Sequence, residues 1–173
     1  MVCNSVLATG AILLPNIGGY ISSIPVRKNM AWYASLKKPR FGPPDWVFAP
    51  AWTFLYSSLG YSSYLVWKHG GGCSGPARIP LMVYGGHLML NLSWTHIFFS
   101  MHKLKLSLYE IAAVDVTAVL TAYLFYQVQP VAGWLFLPYF AWLSYATALT
   151  CSIMRLNPED ETQGATVTEI KDE

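Results

Sequence analysis

Tryptophans inside long apolar runs are the first candidates for chemistry in this 173-residue chain. Three of them have partners at helical spacing, which places each set on one face of a helix. The sets are Trp52 with Tyr56, Leu59 and Ser63; Trp94 with His87 and Asn91; and Trp142 with Ala146 and Leu149. Such faces suit a large, flat, mostly apolar ligand held by stacking and a few hydrogen bonds. Ordinary helix packing explains the same three tryptophans equally well.

A proline-rich segment comes directly before the first of these faces. Residues 37–53 read KKPRFGPPDWVFAPAWT, with four prolines, two tryptophans and two phenylalanines. Proline disfavours helical geometry in the residue before it, so Pro50 predicts a bend at Ala49 where the chain enters a helix. The bend would leave space lined by aromatic side chains. We therefore expect a pocket that opens here and includes Ala49, whereas Trp46 also fits an aromatic belt at a membrane interface.

Ionisable groups inside apolar runs are the second set of candidates. Asp115 lies near the middle of one run, where a charge costs several kcal/mol unless it is paired, protonated or hydrated. It is either functional or a neutral carboxyl bonded to a neighbouring hydroxyl. His87 and His96 are nine residues apart, on opposite sides of one helix, so they do not share a metal. Each has the chemistry to ligate haem iron, although a lone buried histidine is more often a hydrogen-bonded packing residue.

The elements that must position these groups are predicted by five long apolar runs. With 54% hydrophobic and 12% charged residues, the chain has about half the charge of a typical soluble domain. The runs, each of about 18 residues or more and bounded by charge, Gly or Pro, cover residues 5–26, 50–67, 80–100, 107–127 and 131–154. A helix of that length crosses the hydrocarbon core of a bilayer. We predict an all-α, multi-pass membrane protein with a bundle of five transmembrane helices in residues 1–157, followed by a polar, acidic, disordered tail over residues 158–173.

Several classes of function are excluded by composition and motif. A net charge of +2, with no basic stripe, argues against nucleic-acid binding. Three distant cysteines, Cys3, Cys73 and Cys151, form neither a disulfide framework nor a metal site. The sequence has no nucleophile–base pair, P-loop or zinc motif, so hydrolytic and phosphoryl-transfer chemistry lack support. We expect no metal site and no obligatory cofactor.

The distribution of basic residues predicts the orientation in the membrane. One side would carry most of them, in the first loop, the third loop and the start of the tail: Arg27, Lys28, Lys37, Lys38, Arg40, Lys103, Lys105 and Arg155. The other side would carry only Lys68 and Arg78. Cytoplasmic loops are enriched in Lys and Arg, so the first loop and the C-terminus are expected in the cytosol. The pocket would then open near the long cytosolic first loop.

Three segments of the chain closely resemble the translocator protein family. They read WYASLKKPRFGPPDWVFAPAWTFLYSSLGYSSYLVWK, LNLSWTHIFF and PYFAWLSYATAL. The likeness extends from about residue 15 to residue 157, and YSSYLVWK with the acidic tail looks more like the animal members. These include the peripheral benzodiazepine receptor, whereas the bacterial members are tryptophan-rich sensory proteins.

The resemblance implies a ligand-binding function. It implies a five-helix bundle, often a homodimer, that binds cholesterol, protoporphyrin and other tetrapyrroles, and benzodiazepine-type ligands. It also implies the outer mitochondrial membrane and a role in cholesterol or porphyrin transport. The tryptophans at the positions of Trp52 and Trp142 are implicated in light-dependent porphyrin breakdown in bacterial members. A binding and transport protein, a porphyrin-degrading photochemical enzyme and a membrane scaffold all remain open.

Two positions depart from the family pattern. The family's sterol motif combines an aliphatic residue, a tyrosine and an arginine; Leu149 and Arg155 match it, but Cys151 replaces the tyrosine. Leu106 stands where animal members often carry a tryptophan over the drug pocket. The first departure bears on sterol binding and the second on affinity for synthetic ligands.

Overall fold

The computed structural model describes residues 2–158, and within that range the chain is helical and contains no strand. Its long helices are α1 (Val2–Lys28), α3 (Phe48–His69), α4 (Arg78–Phe99), α5 (Leu104–Val128) and α7 (Leu137–Leu156). Two short helices, α2 (Met30–Ser35) and α6 (Pro130–Trp134), lie between them. The prediction of an all-α protein is confirmed. Apart from Pro158, the tail that we predicted to be disordered lies outside the described residues.

The long helices differ in how clearly they qualify as membrane spans. Among the described residues, two segments are both long and apolar enough to cross a membrane: Ser5–Lys28, within α1, and Leu104–Val128, which is α5. The helices α3, α4 and α7 have 20 to 22 residues each, enough to reach across a hydrocarbon core. That all five cross the bilayer stays a prediction.

The last predicted run, residues 131–154, is not one continuous helix. It divides between α6 and α7 because Pro138, in the first turn of α7, prevents a helix from continuing through it. At the break the Phe136 N–H donates to the carbonyl of Gly133. The carbonyl of Ala132 accepts instead from the Ser62 hydroxyl of α3, at 2.7 Å. The interruption thus supplies a hydrogen bond between helices.

Two core clusters occupy opposite ends of the helices. The first core cluster joins α3, the N-terminal half of α4, the C-terminal half of α5, α6 and the start of α7; among its members are Leu59, Val66, Tyr84, Ala118, Ala122, Phe125, Phe136 and Tyr139. The second core cluster joins α2 to the other ends of α4, α5 and α7, and contains Tyr33, Leu36, Phe98, Phe99, Leu104, Leu149 and Ile153. The helix α1 packs in the groove between α3 and α4.

Candidate functional site

A cavity of about 570 Å³ lies between the two core clusters, since its lining includes members of both. Its walls come from all five long helices and from residues of the segment between α1 and α3, including Tyr33 and Asp45. Most lining side chains are aromatic or aliphatic. The volume falls within the range of small-molecule sites, roughly 300–1,000 Å³.

Eight of the nine predicted ligand-binding residues line this cavity: Ala49, Trp52, Tyr56, Asn91, Trp94, Trp142, Ala146 and Leu149. His87 does not line it. Ala49 is helical, because α3 begins at Phe48, so the bend predicted there is wrong. A short 3₁₀ turn over Asp45–Val47 redirects the chain instead, and Pro50 is tolerated in the first helical turn, where its missing N–H needs no partner. Trp46 is 73% exposed and lies outside the lining.

Trp52 and Trp142 meet at one wall of the cavity. Their ring centroids are 6.3 Å apart in an edge-to-face arrangement, and Phe48 contacts Trp142 at 5.9 Å. Trp94 is held differently, because it stacks on Phe98 at 4.9 Å and its Nε1–H donates to the carbonyl of Ser107. The Nε1 of Trp142 is buried and has no hydrogen-bond partner among the described residues.

A directed chain of hydrogen bonds crosses the helices behind the cavity. The Tyr56 hydroxyl donates to Asn91 Oδ1 at 2.7 Å, and Asn91 Nδ2 donates to the Tyr139 hydroxyl at 2.9 Å. The Tyr139 hydroxyl lies 3.1 Å from His87 Nε2, and His87 Nδ1 lies 2.9 Å from the Thr117 hydroxyl. The Thr117 hydroxyl in turn donates to a backbone carbonyl of its own helix. Residues from α3, α4, α5 and α7 are joined in this way.

The hydrogen bonds around His87 favour one tautomer of its imidazole. Tyr139 already accepts a hydrogen bond from Asn91, so its own proton is free to point to His87 Nε2. Thr117 donates to its helix backbone, so it accepts from the Nδ1–H of His87. An imidazole that carries its proton on Nδ1 alone gives every one of these contacts a donor and an acceptor, so the network favours this tautomer. Because Nε2 is engaged and the ring is outside the cavity, the geometry favours the packing role over ligation of a haem iron.

The first loop is attached to the end of α7. Asn157 forms two hydrogen bonds with the backbone of Lys37, accepting from its N–H and donating to its carbonyl, both at 2.9 Å. The Tyr145 hydroxyl donates to the carbonyl of Phe41 at 2.8 Å. Lys38 Nζ lies 3.9 Å from the ring centroid of Tyr33. Burial, with smaller contributions from Asp45 and Tyr145, raises the pKa of Tyr33 to about 12, so its hydroxyl stays protonated at neutral pH.

The remaining predicted residues have separate positions. Asp115 is half-buried and accepts a hydrogen bond from the Thr147 hydroxyl of α7 at 2.8 Å, which is the hydroxyl-bonded alternative raised by the sequence. Of the two residues matching the sterol motif, Leu149 lines the cavity and Arg155 is exposed outside it. Leu106 is 42% exposed and also lies outside the lining. The free thiol of Cys151 is half-buried.

Sequence reasoning missed Tyr139, Thr117 and Asn157. Tyr139 shares a helical face with Trp142 and Ala146, at i, i+3 and i+7, so the face could have been extended to include it. Thr117 is paired across helices by a contact that spacing within one helix does not reveal. Asn157 pairs with Lys37, 120 residues away in the sequence, and no local pattern signals such a contact.

Comparison with known proteins gives consistent matches over most of the chain. A family model described as the TspO/MBR family matches residues 11–156. The translocator protein of Sus scrofa is 42% identical over 151 residues, which cover 87% of this chain and 89% of the relative. The tryptophan-rich protein TspO of Archaeoglobus fulgidus is 36% identical, over 73% of this chain and 80% of the relative. Protein CrtK of Rhodobacter capsulatus is 32% identical, over 93% and 91% respectively.

Proposed function

The chain belongs to the TspO/MBR family of membrane proteins, and on that premise we propose that its cavity binds sterols and tetrapyrroles such as cholesterol and protoporphyrin. The observation that carries the proposal is the wall formed by Trp52 and Trp142 in a cavity of about 570 Å³. Edge-to-face tryptophans offer broad apolar surfaces to a flat ligand. The same space would accept benzodiazepine-type ligands.

The polar side of the cavity suggests how such a ligand is oriented. Tyr56 and Asn91 both line it, and each keeps hydrogen-bonding capacity beyond the bond that joins them. A ligand with one polar group on a large apolar body would place that group here and its body against the aromatic wall. Cholesterol has a single hydroxyl on an apolar body, and protoporphyrin has its two propionates together on one edge of an otherwise largely apolar macrocycle.

We further propose that all five long helices span the membrane, with the first loop and the C-terminus on the cytosolic side of the outer mitochondrial membrane. In support, Asn157 binds Lys37 and Trp32 stacks on His102 at 4.0 Å, which brings the basic first loop, the basic third loop and the end of α7 to one end of the molecule. The excess of Lys and Arg at that end fits the cytoplasmic side. The proposed assembly is a homodimer, by family resemblance.

Light-dependent breakdown of a bound tetrapyrrole is the second candidate function. It is favoured by the contact between Trp52 and Trp142, since both indoles line the space that the pigment would occupy. An indole beside a photoexcited macrocycle is a suitable electron donor. The two candidates share one site and differ in whether the ligand leaves unchanged. Transport of cholesterol or porphyrin is compatible only with the first candidate, binding, because the ligand must leave the site chemically unchanged.

Titration of protoporphyrin into the protein in lipid nanodiscs, in the dark, tests the proposed site. We expect saturable quenching of tryptophan fluorescence, with an affinity about fivefold lower in Trp52→Leu, because a stacked aromatic contact contributes about 1 kcal/mol. Trp46→Leu is the matched control, since Trp46 lies outside the cavity. Quenching that does not saturate, or that both variants weaken equally, would contradict a site at this wall.

Two additions separate the ligand classes and the two functions. Cholesterol should displace protoporphyrin if both occupy the same cavity, whereas quenching that cholesterol leaves unchanged would restrict the site to tetrapyrroles. Under illumination, bound pigment that bleaches faster than free pigment in empty nanodiscs would support photochemical breakdown. Equal bleaching rates would leave binding as the function.

A further inference from the structure

Trp52 lies between two tyrosines whose hydroxyl groups have different acceptors. Its ring centroid is 5.2 Å from that of Tyr56 and 6.4 Å from that of Tyr139. The Tyr56 hydroxyl donates to the amide oxygen of Asn91, which is not a base. The Tyr139 hydroxyl instead lies 3.1 Å from His87 Nε2, to which it donates when the imidazole carries its proton on Nδ1 alone. Of the two phenols, only Tyr139 is therefore in contact with a group that can take its proton.

We propose that Trp52, Tyr139 and His87 form a relay that carries a one-electron oxidation from the cavity wall to a buried tyrosine. A photoexcited tetrapyrrole would be the oxidant, and this part rests on the proposed function. It takes one electron from the Trp52 indole and becomes a radical anion, leaving an indole radical cation. Tyr139 then returns one electron to Trp52 while its O–H proton moves to His87 Nε2. The products are intact Trp52, a neutral tyrosyl radical and an imidazolium, so electrons and protons balance.

The hydrogen-bond partners of His87 remain satisfied when it accepts this proton. After the transfer, the imidazolium donates from Nδ1 to Thr117 and from Nε2 back to the Tyr139 oxygen, so both N–H groups keep partners. No side chain has to move, because the acceptor is already in hydrogen-bond contact. When the tyrosyl radical is reduced, the same contact returns the proton. Burial disfavours the charged imidazolium, which favours return of the proton once the tyrosyl radical is reduced.

The end of the relay is more deeply buried than its beginning. Tyr139 and His87 are 0% and 1% exposed, whereas Trp52 is half-buried in the cavity wall. The relay would therefore move the oxidising equivalent from a residue that touches the ligand to one sealed from solvent. Separating the charge from the reduced pigment slows its return. The indole would be restored to its original state and would be ready for another cycle.

Ultraviolet flash photolysis of the ligand-free protein in nanodiscs tests the relay without any tetrapyrrole. The flash ionises tryptophans, and the decay of indole radicals is followed together with the rise of the tyrosyl absorption. The chain has seven tryptophans and eleven tyrosines, so the contribution of Trp52 is taken as the difference between the parent protein and Trp52→Phe. When Tyr139→Phe is added to both proteins, we expect the difference between them to contain no tyrosyl signal. Tyr56→Phe, the matched control, should leave it unchanged.

The role of His87 has its own variant. His87→Gln keeps a hydrogen-bonding side chain but removes the base, so we expect tyrosyl formation at least tenfold slower and no longer slower in D₂O than in H₂O. All variants are measured below their own unfolding temperatures. Equal loss of signal in Tyr56→Phe and Tyr139→Phe, or an unchanged rate in His87→Gln, would overturn the relay. Because no pigment is present, either result would leave tetrapyrrole binding standing, and failure of porphyrin titration would leave the relay standing.

Discussion

The packed core and the cavity wall use aromatic residues in opposite ways. In the first core cluster, small residues such as Ala118 and Ala122 let the helices approach, and Phe125 and Phe136 fill the space between them at a centroid distance of 5.6 Å. Where the same cluster borders the cavity, Trp52 and Trp142 pack against it, meet edge to face and leave open space beside them. Aromatic content alone therefore does not distinguish core from site. The size of the neighbouring side chains decides whether an aromatic ring fills space or borders it.

The largest expected difference between the packed core and the cavity wall is in the free energy of unfolding. Phe125 is fully buried in the first core cluster, so Phe125→Ala should lower the free energy of unfolding by about 3–5 kcal/mol. Trp142→Ala should cost less, because that side chain is only partly buried and already faces open space. Denaturant titration in mixed micelles measures both. Ligand affinity should respond in the reverse order, weakened by Trp142→Ala and unchanged in folded Phe125→Ala.

A loss of stability in Trp142→Ala equal to that in Phe125→Ala would show that the cavity wall is ordinary core. Because the two substitutions remove large aromatic rings of similar kind, the comparison depends on surroundings and not on residue type. The ligand titration separates a loss of affinity from a loss of folded protein, because affinity is determined on the folded fraction.

The second contrast concerns the close approach of α1 and α3. A methyl group added at Gly60 would collide with the backbone of Ala11 and Ile12, which side-chain rotation does not relieve. We expect Gly60→Ala to cost about 1–3 kcal/mol, as overpacked sites do. Gly86→Ala is the matched control, since nothing lies within 4 Å of its added methyl group, and it should be neutral or stabilising by about 0.5–1 kcal/mol. Thermal unfolding of both variants in the same detergent is the measurement.

A result in which both glycine variants behave alike would mean that α1 is free to move away from α3. That outcome would enlarge the cavity, because α1 contributes Asn16, Gly19 and Val26 to its wall. The Gly60 substitution is therefore also a way to ask how firmly α1 closes this side of the site.

Much of the fold followed from the sequence because apolar length and helical spacing are local properties. Five apolar runs predicted the positions of five long helices, and eight of the nine residues predicted to bind ligand line the cavity. The break before α7 was missed, although Pro138 is in the sequence, because the run was judged by hydropathy alone. His87 was placed with Asn91 by its spacing, but the packing of Tyr139 separates it from the cavity. Contacts between helices are set by tertiary packing and leave no local signal.

The third contrast is between the helices and the first loop, which is attached to the end of α7 by hydrogen bonds. Asn157→Ala removes both hydrogen bonds to the Lys37 backbone, which at an exposed site contribute about 1 kcal/mol in total. We expect faster tryptic cleavage within residues 37–41 and faster amide exchange there, with the unfolding temperature little changed. Ser152→Ala is the control, because its hydroxyl bonds only to Ala148 of its own helix. Unchanged cleavage in Asn157→Ala would show that Tyr145 and the packing of Phe41 are sufficient to hold the loop.

The smallest expected effect distinguishes a structural carboxyl from a functional one. Thr147 donates to Asp115 Oδ2, and an amide oxygen at the same place accepts that hydrogen bond equally well. We therefore expect Asp115→Asn to change stability and protoporphyrin affinity by less than about 1 kcal/mol, the value of one such bond. Thr147→Val is the companion variant, because it leaves the carboxyl without its donor and should cost more than Asp115→Asn does. The reverse order, with Asp115→Asn the more damaging for ligand binding, would mean that the negative charge itself is used. Asp115 would then be a functional group although it lies outside the cavity lining, and α5 would contribute charge as well as packing to ligand binding.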